Sequence, residues 1–134
     1  MILGIKISAV AIQALKDALC SIYWYKSDLR GFLNNSIEDK SIITKADWSN
    51  YKRQIVSDIV DNLCEDQEKY LGDIRRLFYE VKNMNSFRHL EHLEDGKRKA
   101  QRARDAVNAL KNIVDKHDQK IKEEKEIAEK RTGA

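Results

Sequence analysis

The chain contains no proline, and glycine occurs at only five of its 134 positions. Proline breaks helices, and both residues build the tight turns that β-hairpins need, so their scarcity favours helices over sheets. A chain of this length is suited to one domain with one buried core. We therefore predict an all-α fold, a helical bundle of five or six helices.

Apolar residues recur at intervals of three and four along most of the chain, which is the spacing of one helix face. Ser8 is placed to cap the first of these stretches, and Thr44 with Asp47 has the form of a capping box in front of another. The clearest pattern covers residues 68 to 82. The last and longest pattern runs from about residue 97 to residue 131.

The length of that last pattern divides the chain. A helix over residues 97 to 131 would measure about 50 Å, whereas the radius of gyration of a domain of this size is about 14 Å. We therefore expect residues 1 to 114 to form the bundle, including the first half of the last helix. Residues 115 to 134 are expected to form a charged helical extension, because their Lys, Glu and Ala content is typical of a helical spacer.

The apolar amino terminus raises the question of a signal or membrane segment. Lys6, Lys16 and Asp17 interrupt it and no basic segment precedes it, so we predict no membrane association. Cys20 and Cys64 form neither a CxxC pair nor a disulfide framework, which is typical of a reducing compartment. The sequence therefore favours a cytoplasmic protein.

Motifs of nucleotide chemistry are missing from the sequence. It has no GxxxxGK loop followed by Ser or Thr to cradle phosphates, and no GxGxxG after a strand. In helical ribonucleases of the HEPN type, four to six residues separate an Arg from the His that follows it. Only three residues separate Arg88 from His92, and no Arg stands at that distance before His117. We predict that the chain is not an enzyme and has neither catalytic residues nor a cofactor.

Two histidines would share one helix face. His89 and His92 stand three apart, with Glu91 and Glu94 close by in the sequence. A structural metal site needs three or four ligands, and this stretch offers two good ones without an HExxH pattern. We predict no metal site and interpret the histidines as packing or surface residues.

Charge is nearly balanced overall but is uneven along the chain. The formal net charge is +3, from 25 basic and 22 acidic residues, which by itself does not imply a polyanionic partner. One block holds five basic residues and no acidic one: Lys97, Arg98, Lys99, Arg102 and Arg104. The block predicts salt-sensitive binding of DNA or RNA, and the alternative is an ordinary solvated helix face. Lys52 and Arg53, or Arg75 and Arg76, would extend it if the fold brings them together.

Three aromatic residues, Tyr23, Trp24 and Tyr25, follow one another at the end of the first predicted helix. Three consecutive helical positions spread over about 200° of the circumference, so one neighbour cannot bury them all. At least one should lie near the surface. An exposed Trp or Tyr is a typical anchor of a protein interface, and the alternative is that Trp24 fills the core.

Three stretches of this pattern resemble a known class of protein: ALKDALCSIYWYKSDLRGFL, DWSNYKRQIVSDIVDNL and FRHLEHLEDGKRKAQRARDAVNAL. The likeness covers about residues 11 to 114. It is to the amino-terminal helical region of large bacterial proteins that carry a superfamily 2, DEAD/DEAH-type helicase and are linked to phage defence. This resemblance implies a non-catalytic accessory or protein-interaction domain whose partner is a helicase or ATPase.

A second likeness concerns residues 18 to 37 and 52 to 63, which are similar to bacterial death-like and effector-associated helical adaptors. Such adaptors bind their own kind, so this resemblance implies a homo-oligomer. The two resemblances and the basic block leave three alternatives open: a helicase-associated interaction domain, a nucleic-acid-binding module and a self-associating adaptor.

Overall fold

A computed structural model of the chain describes residues 7 to 132, and this range holds seven α-helices and no strand. The helices are α1 (Ala9–Ile22), α2 (Lys26–Ser36), α3 (Lys40–Thr44), α4 (Lys52–Glu65), α5 (Leu71–Lys82), α6 (Arg88–Glu91) and α7 (Gly96–Thr132). The all-α prediction is confirmed. The helix count exceeds the expected five or six because α3 is a separate short helix of five residues.

The first helix begins where the sequence predicts. Ser8 has extended backbone angles, and its hydroxyl accepts a hydrogen bond from the amide of Ala11 at 3.2 Å. The helix ends earlier than expected, at Ile22, because Tyr23 is also extended. The three aromatic residues therefore lie in the turn between α1 and α2 and not on a helix.

The capping box expected at Thr44 and Asp47 does not form. Thr44 is the last residue of α3, and α4 begins only at Lys52. The Asp47 carboxylate instead accepts hydrogen bonds from the amide and hydroxyl of Ser49, at 3.1 and 2.5 Å, and closes a local turn. Trp48 secures this connection by donating its indole N–H to the carbonyl of Ile43 at 2.8 Å.

The core is built around the antiparallel pair α1 and α7. Ala11 at the start of α1 lines a small cavity with Val114 of α7, whereas Cys20 near its end shares a pocket with Lys99. The inner face of α7 is formed by five buried residues at helical spacing: Ala100, Ala103, Val107, Leu110 and Val114. Helices α4 and α5 pack their own apolar faces against this pair.

The last helix has 37 residues, which corresponds to about 55 Å. Val114 is its last buried residue. From Gln119 to Arg131 every residue is exposed except Ile121, which is half-buried. The carboxyl-terminal part of α7 therefore projects beyond the bundle, as the sequence predicts.

Two further findings concern membrane spans and the two cysteines. None of the helices within residues 7 to 132 combines the length and the apolar character that a membrane span requires. Cys20 and Cys64 are free, half-buried thiols, and burial raises the pKa of both.

Candidate functional site

The five cations of the predicted basic block do not share one helix face. Successive residues of an α-helix are rotated by about 100°, and Ala100 and Ala103 point into the core. Lys99 and Arg102 consequently lie on one flank of α7, and Lys97 and Arg104 lie on the other, with Arg98 outermost. The five cations therefore lie on both flanks of α7 and on its outer side.

The first flank forms a pocket with the turn after α1. A cavity of about 200 Å³, hereafter the Trp24 pocket, is lined by Cys20, Ser21, Trp24, Lys52, Arg53, Lys99 and Arg102. It contains four basic side chains, contributed by α4 and α7, and no carboxylate among the lining residues. Two sets of residues that the sequence suggested separately, the basic block and the aromatic cluster, therefore meet at one place.

Trp24 is the centre of this pocket. The residue is 49% exposed, although ammonium groups lie over its ring. The Nζ atom of Lys99 is 3.8 Å from the ring centroid and that of Lys52 is 5.3 Å away, both within the range of cation–π attraction. The prediction that at least one of the three aromatic residues is exposed is confirmed, since Tyr25 is also 54% exposed.

Tyr23, the third aromatic residue, faces the bundle. Its ring centroid lies 5.5 Å from that of Phe32 and 5.4 Å from that of His89. Burial raises the pKa of its hydroxyl, and nearby Asp28 and Glu80 add to the effect. Tyr23 is therefore a packing residue that stabilises the turn from which Trp24 is exposed to solvent.

Lys52 connects α4 to the aromatic turn. Its ammonium donates hydrogen bonds to the carbonyl of Tyr23 at 2.7 Å and to that of Trp24 at 3.4 Å. Burial lowers its pKa. The ammonium of Lys99 is similarly held by the carbonyl of Glu94. Both lysines are thus positioned by backbone oxygens, and neither forms an ion pair with a carboxylate of residues 7 to 132.

The two arginines of the pocket are the groups most available to a ligand. Arg102 is exposed and has no ion pair or hydrogen bond with any residue between 7 and 132. The Arg53 side chain is 71% exposed, and its one ion pair with a described residue is to the half-exposed Asp17, at 3.4 Å. An exposed pair at that distance is weak, so an anion can compete with Asp17 for the guanidinium.

The second flank of α7 forms a separate depression. A groove of about 420 Å³, hereafter the Arg104 groove, is lined by Lys82, Asn83, Met84, Asn85, Phe87, Arg104, Asn108 and Lys111. Lys82 is neutralised by Asp115 at 2.9 Å. The guanidinium of Arg104 lies 5.6 Å from the Phe87 ring and donates to the Gln101 amide oxygen at 3.2 Å. Its positive charge has no carboxylate partner within the described range.

The other sequence candidates do not line either of the two depressions. His89 Nε2 lies within hydrogen-bond distance of the Ile22 carbonyl, and His92 is exposed. Within residues 7 to 132, no three His, Cys, Asp or Glu side chains come together as a metal site would require. Arg76 binds the Ser36 carbonyl at 2.8 Å and Asp73 at 3.0 Å. Of the two suggested extensions of the basic block, the structure brings only Lys52 and Arg53 to the pocket.

The fold and the site together define a class: an all-α bundle in which a half-exposed tryptophan shares a pocket with four basic side chains. Comparison with known proteins adds no relative, because neither a protein-family model nor a curated protein nor a solved structure matches this chain.

Proposed function

We propose that this chain is a non-catalytic helical module that binds nucleic acid through the Trp24 pocket. The observation that carries the proposal is that Lys52, Arg53, Lys99 and Arg102 line one pocket with Trp24. Cations beside a stacking side chain are the combination that nucleic-acid-binding proteins use to hold backbone phosphates and unpaired bases. Such binding is independent of sequence and depends on salt.

The proposed context is that of an accessory domain for a bacterial defence-type helicase or ATPase in the cytoplasm. The support is the resemblance of residues 14 to 33, 47 to 63 and 87 to 110 to the helical region that precedes such motors. A domain that grips nucleic acid beside a motor keeps the substrate close while the motor hydrolyses ATP. The chemistry then belongs to the partner, and this module supplies binding.

A titration of labelled 16-nucleotide DNA and RNA strands by fluorescence anisotropy tests the proposal. If about three phosphates are neutralised, affinity for a single strand should fall roughly 20-fold between about 50 and 200 mM salt. Arg102→Ala should weaken binding and lower the salt dependence by roughly one counterion. Trp24→Ala should weaken binding with little change in that dependence.

Lys130→Ala is the matched control, because it removes one charge from the exposed end of α7. It should leave the affinity nearly unchanged. Lack of binding at low salt would overturn the proposal, and so would an equal effect of Arg102→Ala and Lys130→Ala. Binding of an acidic peptide in place of nucleic acid would assign the pocket to a protein partner.

A second candidate is a protein-interaction domain, which includes a self-associating adaptor. The observation that favours it is that Tyr51 is 83% exposed and lies one residue before Lys52, which contacts the aromatic turn. Tyr25 and Tyr51 thus offer two exposed rings on connected turns, and tyrosine is enriched at interface hot spots. Light scattering should then give a molar mass above that of one chain, and Tyr51→Ser should reduce it. A monomer at all concentrations contradicts self-association.

A further inference from the structure

We infer that the Trp24 pocket and the Arg104 groove are the two ends of one track, which a single nucleic-acid strand follows across the outer surface of α7. This inference rests on the proposed function and specifies its ligand as single-stranded. The structural observation behind it is that α7 contributes cations to both depressions, since Lys99 and Arg102 line one and Arg104 and Lys111 line the other.

The shape of the track selects a flexible ligand. At about 100° per residue, Lys99 and Arg104 each lie about 70° from the centre of the buried face, on opposite sides of it. The two sites therefore face away from each other around a convex helix about 10 Å across. A stiff duplex could meet both sites only by taking α7 into its major groove, which is about 12 Å wide, and Lys99 and Arg104 lie about 110° from the outermost line of α7, on the side turned toward the bundle. A single strand can bend over α7.

The surface between the two sites suits a backbone. Lys97 and Arg98 are exposed in the first turn of α7, and Gln101 follows one turn later. The only ion pair of Arg98 with a described residue is to Asp95 at 3.6 Å, and both side chains are largely exposed. Asp105 is the nearest carboxylate further along the outer surface, where it is bonded by Gln101 at 2.8 Å. The favourable crossing consequently runs over the first turn of α7.

The far end of the track offers different chemistry from the near end. Asn83, Asn85 and Asn108 supply amide donors and acceptors beside Arg104 and Lys111. Phe87 is buried and unable to stack on a base, unlike Trp24. Bases are thus expected to stack at the Trp24 pocket, while the groove holds phosphates and sugar edges.

The test compares oligomers of two lengths with the full chain. Single-strand-binding sites cover roughly 4 to 16 nucleotides, so oligothymidylates of 4 and 16 nucleotides are the probes. Arg102→Ala should weaken binding of both probes, by about fivefold at low salt. Arg104→Ala and Lys111→Ala should each weaken binding of the longer probe by a similar factor and leave the shorter one unaffected. A 16-base-pair duplex should respond to only one flank.

The outcomes separate this inference from the proposed function. If Arg102→Ala weakens both probes but neither groove variant affects the longer one, the track is overturned while binding at the Trp24 pocket stands. A duplex that binds as tightly as the strand and responds to both flanks also overturns it. The two groove variants provide independent readings, since Lys111 is exposed and has no described hydrogen bond or ion pair that its loss could disturb.

Discussion

Gly96 is the first residue of α7 and lies buried against the short helix α6. A Cβ atom at this position would be 2.3 Å from the carbonyl oxygen of Glu91 and 2.6 Å from that of Leu90. The preceding residue, Asp95, has a φ of 56°, in the left-handed region that Asp tolerates better than most residues. The sharp connection that places Lys99 beside Trp24 therefore requires a residue without a side chain.

We expect Gly96→Ala to destabilise the fold by about 1 to 3 kcal/mol, because backbone atoms must shift to admit the methyl group. Gly31→Ala is the matched control, since Gly31 lies within α2 and no heavy atom comes within 4 Å of its added Cβ. That change should stabilise the protein by about 0.5 to 1 kcal/mol, the difference in helix propensity between Ala and Gly. Urea denaturation followed by circular dichroism measures both. Effects of the same sign would contradict this description of the connection.

The helices that the sequence predicts well are those with a long apolar stripe of their own. The pattern over residues 68 to 82 corresponds to α5, which begins at Leu71, and the pattern from 97 to 131 corresponds to α7. In both, the buried residues recur at the spacing of one helix face, so burial and local pattern agree. The Ser8 cap is also predicted correctly, because it depends only on residues next to it in the sequence.

The sequence predicts the region between α2 and α4 poorly, because two turns in it have the same Asp–Ser hydrogen bonds but only one of them begins a helix. Asp39 bonds the amide and hydroxyl of Ser41, as Asp47 does with Ser49, and these bonds lower the pKa of both carboxyl groups. Asp39 begins helix α3, and it also accepts a hydrogen bond from the Tyr70 hydroxyl at 2.9 Å. Asp47 closes a turn that leads into no helix before Lys52. A contact between residues far apart in sequence distinguishes the two turns, and no local pattern contains it.

The sequence likewise identifies several residues of the candidate site but not their arrangement in space. Trp24, Lys99 and Arg102 were recognisable from the sequence as an aromatic residue and part of a basic block. Their meeting depends on the antiparallel packing of α1 and α7 and on the position at which Gly96 begins the long helix. Ser21 and Cys20 line the pocket without any distinguishing pattern, because they are ordinary small residues of an amphipathic helix.

At the scale of the whole molecule, the two cationic depressions and the projecting segment lie in different parts of α7. Both cationic depressions lie in its first half, where Ala100, Ala103 and Val107 are buried. Beyond Val114 the helix carries lysines and glutamates in nearly equal number and contributes little apolar contact. The binding surface should therefore be independent of the projecting segment.

A chain shortened to end at Lys122 should keep its melting temperature within about 2 °C, because residues 123 to 131 are exposed and surface contacts contribute roughly 0 to 1 kcal/mol each. It should also retain salt-dependent binding of the 16-nucleotide strand.

A chain ending at Lys111 loses Val114, which is fully buried, and the half-buried Ile113. Since burying one such side chain stabilises a fold by about 1.5 to 3 kcal/mol, this second truncation should melt well below the first. Thermal denaturation and anisotropy on both chains check the expectation. If the chain ending at Lys122 melts as low as the shorter one, the projecting segment is part of the folded unit after all, and α7 is stabilised along its whole length.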